Sequence, residues 1–345
     1  MKKLNLLILT SLVALMSSCG GSSNDVVTGA GATFPLPFYN MAFKAYQETT
    51  QTPVSYGGVG SGGGVRSLKD QIVDFAGSDA YLSDKELSDM PSDVIHVPTC
   101  MGAVVLAYNL PSVENLVLDG ETVADIFLGN ITRWNDPRIQ VLNEGVSLPD
   151  MAISTVYRSD GSGTTFVFSD YLTKVSTQWA ETMGTSKALK WNTGIAAKGN
   201  PGVAGIIKQS EGSIGYVGSE YGFSLNIPTA TMKNSAGNLV KPTTESISAA
   251  ASAEIPADMR TMITNSPASD AYPISCFTWI VIYKEQNYNK RSIENARETV
   301  ALVKWMLGSE AQAMTTQVHY CPLSQSVVDG AMKLLDGVTF DGNKL

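Results

Sequence analysis

The sequence predicts an α/β fold arranged as two lobes, and three observations carry that prediction. Short strand-like runs alternate with helical ones along most of the chain. Gly-rich loops sit between a strand-like run and a helical one, which is the grammar of a parallel sheet covered by helices. Two apolar segments, Met101 to Tyr108 and Phe277 to Tyr283, suit buried strands, and each has a proline a few residues upstream, Pro98 and Pro273, so both read as crossovers between lobes.

Taken in order, Lys2 and Lys3 precede an uncharged, largely apolar run, Leu4 to Met16, that stops at Ser17-Ser18-Cys19. This pattern is expected to be a secretory signal peptide over 1–18, too short to span a bilayer. A Cys after two small residues, followed by a polar stretch to Asp25, matches a bacterial lipoprotein site: Cys19 would carry the lipid and 19–25 would be the tether. Met16 stands where Leu is usual. Losing both leader lysines takes the formal charge from −8 to about −10, an acidic balance that makes the chain a poor nucleic-acid binder.

Val26-Val27 leads into Gly29 to Phe34, and Pro35 and Pro37 open a helical pattern from Phe38 to Glu48. Pro53 to Tyr56 reads as a strand, Gly57 to Gly64 as a loop, Val65 to Gln71 as a helix, and Ile72 to Asp79 as a strand and turn. Between the crossovers come helical Thr122 to Leu128, strand Ala152 to Tyr157, loop Arg158 to Thr165, helical Phe166 to Leu172 and strand Ile214 to Val217, enough for an inserted lobe. The C-terminal part reads as helical, with Ile293 to Leu307 ending at Gly308 and a capping box at Ser326 and Asp329. With 43% hydrophobic residues a substantial core forms without cross-links. Cys100, Cys276 and Cys321 are far apart, with no C-x-x-C spacing, so neither a zinc site nor a redox pair is indicated and at most one disulfide can form.

Three loops combine small residues with hydroxyls just ahead of a helix: Ala32-Thr33-Phe34, Gly60-Ser61-Gly62 and Gly161-Ser162-Gly163-Thr164-Thr165. Helix N-termini present unpaired N–H groups and a partial positive charge, so such loops hold oxyanions. Any one of them is more simply a helix cap. Three in one chain, split between two lobes, point to a shared anion site. Arg158 and Asp160 flank the third loop, the guanidinium to reach an anion and the carboxylate to hold it in place; the plain alternative is a surface ion pair. Asp79 is more telling, because a carboxylate beside an anion repels it unless the ligand carries a proton.

Other chemistries fare worse. Gly58 to Gly63 matches G-x-G-x-x-G with Asp79 downstream, but the gap leaves room only for a short helix, and an exported chain has no evident supply of nicotinamide cofactor. The P-loop lysine is missing and no serine is the centre of G-x-S-x-G. His96 and His319 have no motif tying them to a nucleophile and read as structural or surface residues. No pattern calls for a catalytic residue, a metal or a cofactor.

The residues as a set resemble the periplasmic phosphate-binding proteins of ABC transporters, the PstS family. The resemblance rests on Gly29 to Pro35, on Gly60-Ser61 with Gly63-Gly64-Val65, and on Val73-Asp74-Phe75 with Ser78-Asp79. It continues through Val104 to Ala107, Phe127-Leu128-Gly129 with Ile131 and Trp134-Asn135-Asp136, Arg158 to Thr164, and Gly215-Tyr216-Val217. It implies a two-lobed type-II periplasmic-binding fold with mixed sheets and a hinge, lobe I being 26–98 plus 274–345 and lobe II 99–273. It also implies that Thr33, Phe34, Ser61, Asp79, Arg158, Ser162, Gly163 and Thr164 hold inorganic phosphate, with Asp160 pairing with Arg158. The implied partners are a membrane permease and its ATPase, and the implied place is the periplasm or cell surface, lipid-anchored. The alternatives are an exported phosphatase and a binder of another tetrahedral oxyanion such as sulfate or molybdate.

Overall fold

A computed structural model describes residues 26–252 and 254–345. The expected signal peptide, Cys19 and the tether lie outside the described residues. The strands are β1 Val27–Gly31, β2 Val54–Gly58, β3 Phe75–Ser78, β4 Val94–Tyr108, β5 Val117–Leu118, β6 Ser154–Arg158, β7 Ile195–Ala197, β8 Ser213–Gly218, β9 Thr231–Lys233, β10 Leu239–Val240 and β11 Ser275–Tyr283. Strands β5, β9 and β10 form a small sheet, two further short strands, Thr339–Phe340 and Asn343–Lys344, pair as a hairpin, and the remaining eight form one sheet in the order β2-β1-β3-β11-β4-β8-β6-β7.

The two flanks are parallel, β1 with β2 and β3, and β6 with β7 and β8. The centre is antiparallel, β11 against β3 and β4, and β4 against β8. The expected parallel grammar therefore holds at the flanks, and the centre makes the sheet mixed. β4 joins the flanks because it is long: its 15 residues reach about 50 Å in extended form. Val94 to Ala103 pair with β11 and Val104 to Tyr108 with β8. Both apolar segments predicted as buried strands are buried strands, and all nine residues of β11 are buried. Such continuous burial needs helices on both sheet faces and gives unbroken apolar runs in place of alternation.

Pro98 lies inside β4 and not upstream of it. The ladder accommodates it by an irregularity: Trp279 faces Pro98 and Thr278 faces Cys100, which leaves Thr99 as the extra residue. A proline has no N–H to give to a ladder, so a bulge is one of the few places where a central strand tolerates it.

Helix Leu36–Thr50 starts between the two prolines, with Pro35 before it and Pro37 in its first turn, and buries Phe38, Tyr39, Ala42, Phe43 and Tyr46, the stripe that a 3.6-residue period aligns. It stops at Gln51, in the left-handed region at φ 64°. The second helix starts at Ser61, four residues before the predicted Val65, because Gly62 to Gly64 wind helically. Gly64 is needed there: a Cβ would lie 2.4 Å from both the Ala30 carbonyl oxygen and Gly31 Cα, so the helix packs directly on β1. The last helix, Gln325–Leu335, is preceded by Ser324, and Ser326 lies within its first turn. The capping box expected at Ser326 and Asp329 does not form; Asp329 accepts from Gln325 Nε2 at 2.8 Å.

Cys100, Cys276 and Cys321 are free, buried thiols. His96 is buried, and its Nε2 accepts the Leu82 N–H at 3.0 Å, so burial lowers its pKa from 6.5 to about 3 and keeps it neutral. His319 is exposed, with its ring against Phe223.

Candidate anion site

Every predicted loop follows the C-terminal end of a strand. β1 ends at Gly31, and the next residues, Thr33 and Phe34, are buried. The Phe34 ring packs edge-on against Tyr320 at 5.9 Å between centroids, and its carbonyl accepts the Tyr320 hydroxyl. The Tyr221 hydroxyl donates to the Thr33 carbonyl at 2.6 Å. These two phenols pin the loop from both sides, which fixes where Thr33 Oγ1 stands.

The second and third loops touch. Gly60, at φ 86°, turns the chain after β2 so that Ser61 opens its helix. Ser61 Oγ accepts the Gly163 N–H at 3.0 Å and the Asp79 N–H at 3.4 Å, and the Gly62 N–H donates to the Gly161 carbonyl at 2.8 Å. Gly163 cannot be replaced within this geometry: a Cβ would stand 2.5 Å from Ser61 Oγ and 2.6 Å from Asp79 Oδ2. Ser162 caps helix Gly163–Val175, its Oγ accepting the Thr165 N–H at 3.0 Å. That cap is the plain role foreseen for such a serine, and it leaves the hydroxyl proton for another acceptor.

Arg158 ends β6 and is 4% exposed. Its Nε and Nη2 donate to the two oxygens of Asp160 at 2.8 and 2.5 Å, and Nη1 donates to Thr164 Oγ1 at 3.2 Å. The pair is therefore bidentate, with the guanidinium buried and Asp160 half-buried, not the exposed ion pair of the plain alternative. Asp160 Oδ1 also accepts the Gly199 N–H at 3.0 Å. Burial works against the Asp160 charge, but the hydrogen bonds and charge of Arg158 outweigh it and hold the carboxyl below the ordinary range.

Asp79 follows β3 and is 1% exposed. Burial drives its pKa up from 3.8 to about 7, opposed by the Thr278 hydroxyl, which donates to Oδ1 at 2.8 Å, then by the charge of Arg158 and by Ser61. Thr278 faces Cys100 beside the irregularity at Thr99.

The structure thus brings Thr33, Ser61, Asp79, Arg158, Gly163 and Thr164 into one connected cluster, with Phe34 and Ser162 adjoining in the chain. Sequence reasoning missed its hub. Asn200 is fully buried; its N–H and Nδ2 both donate to Thr33 Oγ1 at 3.0 and 3.1 Å, and Nδ2 also reaches Thr164 Oγ1 at 3.1 Å. Its Oδ1 accepts the Gly218 N–H at 3.0 Å. The signal was present in Gly199-Asn200-Pro201, the small-residue start of helix Gly199–Gln209 just after β7, but it lacks the hydroxyl that marked the other three. Thr278, Tyr221 and Tyr320 come from distant segments and carry no local signal.

Chemically, the cluster offers hydroxyls, backbone N–H groups at helix starts and one guanidinium, and among them one carboxyl. Among the described residues no group of three or more His, Cys, Asp or Glu could hold a metal.

The pKa of Asp79 generates a prediction for the ligand-free protein. A carboxyl raised from 3.8 to about 7 on folding contributes stability that is complete below the lower value and lost as pH rises to the upper one. Asp79→Asn keeps an acceptor for Thr278 and has no proton to lose. Its melting temperature relative to wild type should therefore be higher at about pH 8 than at about pH 4. An equal difference at both pH values would contradict the buried-carboxyl account.

A family model described as a PBP superfamily domain matches residues 20–310. "Phosphate-binding protein PstS" of Pasteurella multocida (strain Pm70) is 37% identical over 309 residues, covering 88% of each chain. The protein of the same name from Xylella fastidiosa (strain 9a5c) is 37% identical over 307 residues, covering 88% of this chain and 82% of the relative. A crystal structure of a phosphate-binding protein from Stenotrophomonas maltophilia superposes with a TM-score of 0.65 at 21% identity, over 89% of this chain and 93% of the other. That likeness shows the fold, and the α/β periplasmic-binding fold expected above is the one found. The chain belongs to the PBP superfamily and, within it, to the PstS family of phosphate-binding proteins.

Proposed function

We propose that this chain captures inorganic phosphate outside the cytoplasmic membrane and hands it to an ABC-type importer, without catalysing a reaction. The observation that carries this reading is a buried carboxyl, Asp79, among loops that otherwise offer donors. Such a set suits a tetrahedral anion that still carries a proton: the donors serve the bare oxygens and Asp79 accepts from the protonated one. The names of the relatives support the ligand. Thr33, Phe34, Ser61, Arg158, Ser162, Gly163 and Thr164 are the further contacts in this reading, and Asp160 orients Arg158. A phosphatase would need a nucleophile activated by a base, and His96 is committed to the Leu82 N–H.

In the same reading 26–98 plus 274–345 form one lobe and 99–273 the other, and they close on phosphate about the central strands. Cys19 carries the lipid that keeps the protein at a bacterial membrane, in the periplasm or at the cell surface. Among the described residues no helix is long and apolar enough to cross a membrane.

Calorimetry with phosphate, sulfate and a phosphomonoester tests the function, with phosphate expected to bind tightest. Arg158→Ala removes the guanidinium and strands Asp160, a loss of roughly 3–5 kcal/mol in phosphate binding; tenfold or less would make Arg158 peripheral. Ionised Asp79 leaves sulfate facing an oxygen it cannot pair with, so wild type should prefer phosphate by roughly a hundredfold to a few thousandfold. Sulfate binding should strengthen as pH falls through about 7, where Asp79 takes up a proton and becomes a donor. Asp79→Asn should narrow the preference and abolish that trend, and an unchanged phosphate-to-sulfate ratio would place discrimination elsewhere. Small-angle scattering should show a smaller radius of gyration at saturating phosphate; an unchanged radius would argue against lobe closure.

A further inference from the structure

A second buried carboxyl lies behind the anion loops. β8 ends at Gly218, and Ser219 and Glu220 begin the short helix Ser219–Ser224. Glu220 is 2% exposed and Ser219 is fully buried. Neither carboxyl oxygen of Glu220, nor the Ser219 hydroxyl, makes a hydrogen bond to a neighbour. A buried ionised carboxylate with no donor costs several kcal/mol, so such groups take up a proton instead.

Its surroundings point the same way. The titratable groups that face it are Asp79 after β3, Cys100 in β4, Cys276 in β11, Tyr221 in its own helix, and Tyr320. All five are acids, so the ionisation of any of them disfavours a charge on Glu220. The Tyr320 hydroxyl donates to the Phe34 carbonyl, which competes with Glu220 for its proton. Burial first holds the carboxyl well above the usual carboxylate range, outweighing the opposing pull of its own backbone N–H and of Tyr320, and Asp79 adds to the rise.

Glu220 is also one step from the hub of the site. Its carboxyl folds back over Gly218, where a Cβ would lie 2.1 Å from Oε1. The Gly218 N–H is the donor to Asn200 Oδ1, and Asn200 in turn holds Thr33 and Thr164. Tyr221, the next residue, holds the Thr33 carbonyl. A negative charge appearing at Glu220 would therefore face Asp79 and press on the segment that positions both.

We propose that Glu220 is a proton gate of the anion site: phosphate binds while Glu220 carries its proton, and loss of that proton at alkaline pH weakens binding. This rests on the reading that the site takes phosphate. Glu220 is a positioning residue here, without contact to the ligand. The sign follows from linkage. An anion favours the protonated form of a nearby acid, so affinity is full below the pKa of Glu220 and falls above it, by up to tenfold per pH unit for one proton.

The test is calorimetric phosphate affinity from about pH 6 to about pH 9.5 in wild type and Glu220→Gln, a neutral isostere, with thermal melts confirming the fold. At the acid end the two should agree within about threefold, and towards the alkaline end wild type should lose affinity more steeply, by up to tenfold per pH unit. Parallel profiles would overturn the gate and leave phosphate binding intact. No phosphate binding by wild type at any pH would remove the ligand reading and the gate with it. If Glu220→Gln does not fold, Glu220→Met serves as the non-ionisable variant. An infrared difference spectrum between wild type and Glu220→Gln supplies a second check: a carboxylic-acid carbonyl band missing from the variant that persists at neutral pH and vanishes in the alkaline limb is expected, and an ionised Glu220 at neutral pH would contradict the proposal.

Discussion

The bidentate pair of Arg158 and Asp160 is the interaction on which the arrangement of the site depends. A guanidinium that is 4% exposed is tolerable only with its charge answered, and Asp160 answers it with both oxygens. The pairing leaves Nη1 for Thr164 and ties Asp160 to the Gly199 N–H, so one ion pair links the loop after β6 to the loop after β7. It also removes most of the net positive charge of the site. In the proposed reading, binding of an anion rests on oriented hydroxyls and N–H groups as much as on charge.

Those dipoles are where they are because of the sheet. Thr33 follows β1, Ser61 follows β2, Asp79 follows β3, Arg158 ends β6, Asn200 follows β7 and Glu220 follows β8. In open α/β sheets ligands bind beyond the carboxyl ends of the strands, where loops run into helix N-termini. The two parallel flanks each supply such loops, and the antiparallel pair β4 and β11 sets the flanks side by side. Three acids then differ by environment: Arg158 holds the Asp160 carboxyl below the ordinary range, burial raises Asp79 to about 7, and burial pushes Glu220 well above the usual carboxylate range.

The parts of this that were readable in the sequence are those with local grammar. Gly-Ser loops before helical patterns marked Ser61 and Ser162, unbroken apolar runs marked β4 and β11, and a lone arginine beside a donor loop marked Arg158. What escaped was set by tertiary context. Pro98 looked like a boundary and is instead absorbed by an irregularity in the β4–β11 ladder. Thr278 carries no motif, because its hydroxyl acquires its role only when strands distant in sequence are paired, and Gly199-Asn200-Pro201 lacked the hydroxyl that marked the other loops. Glu220 carried no signal in the sequence, and only burial behind Gly218 marks it out.

A crystal structure grown with phosphate tests the central claim most directly. A tetrahedral anion is expected within roughly 3 Å of Arg158, Ser61, Thr33 and one oxygen of Asp79, with Arg158 still paired to Asp160. An anion bound elsewhere on the chain, or one held at these loops with Asp79 turned away from it, would contradict the account.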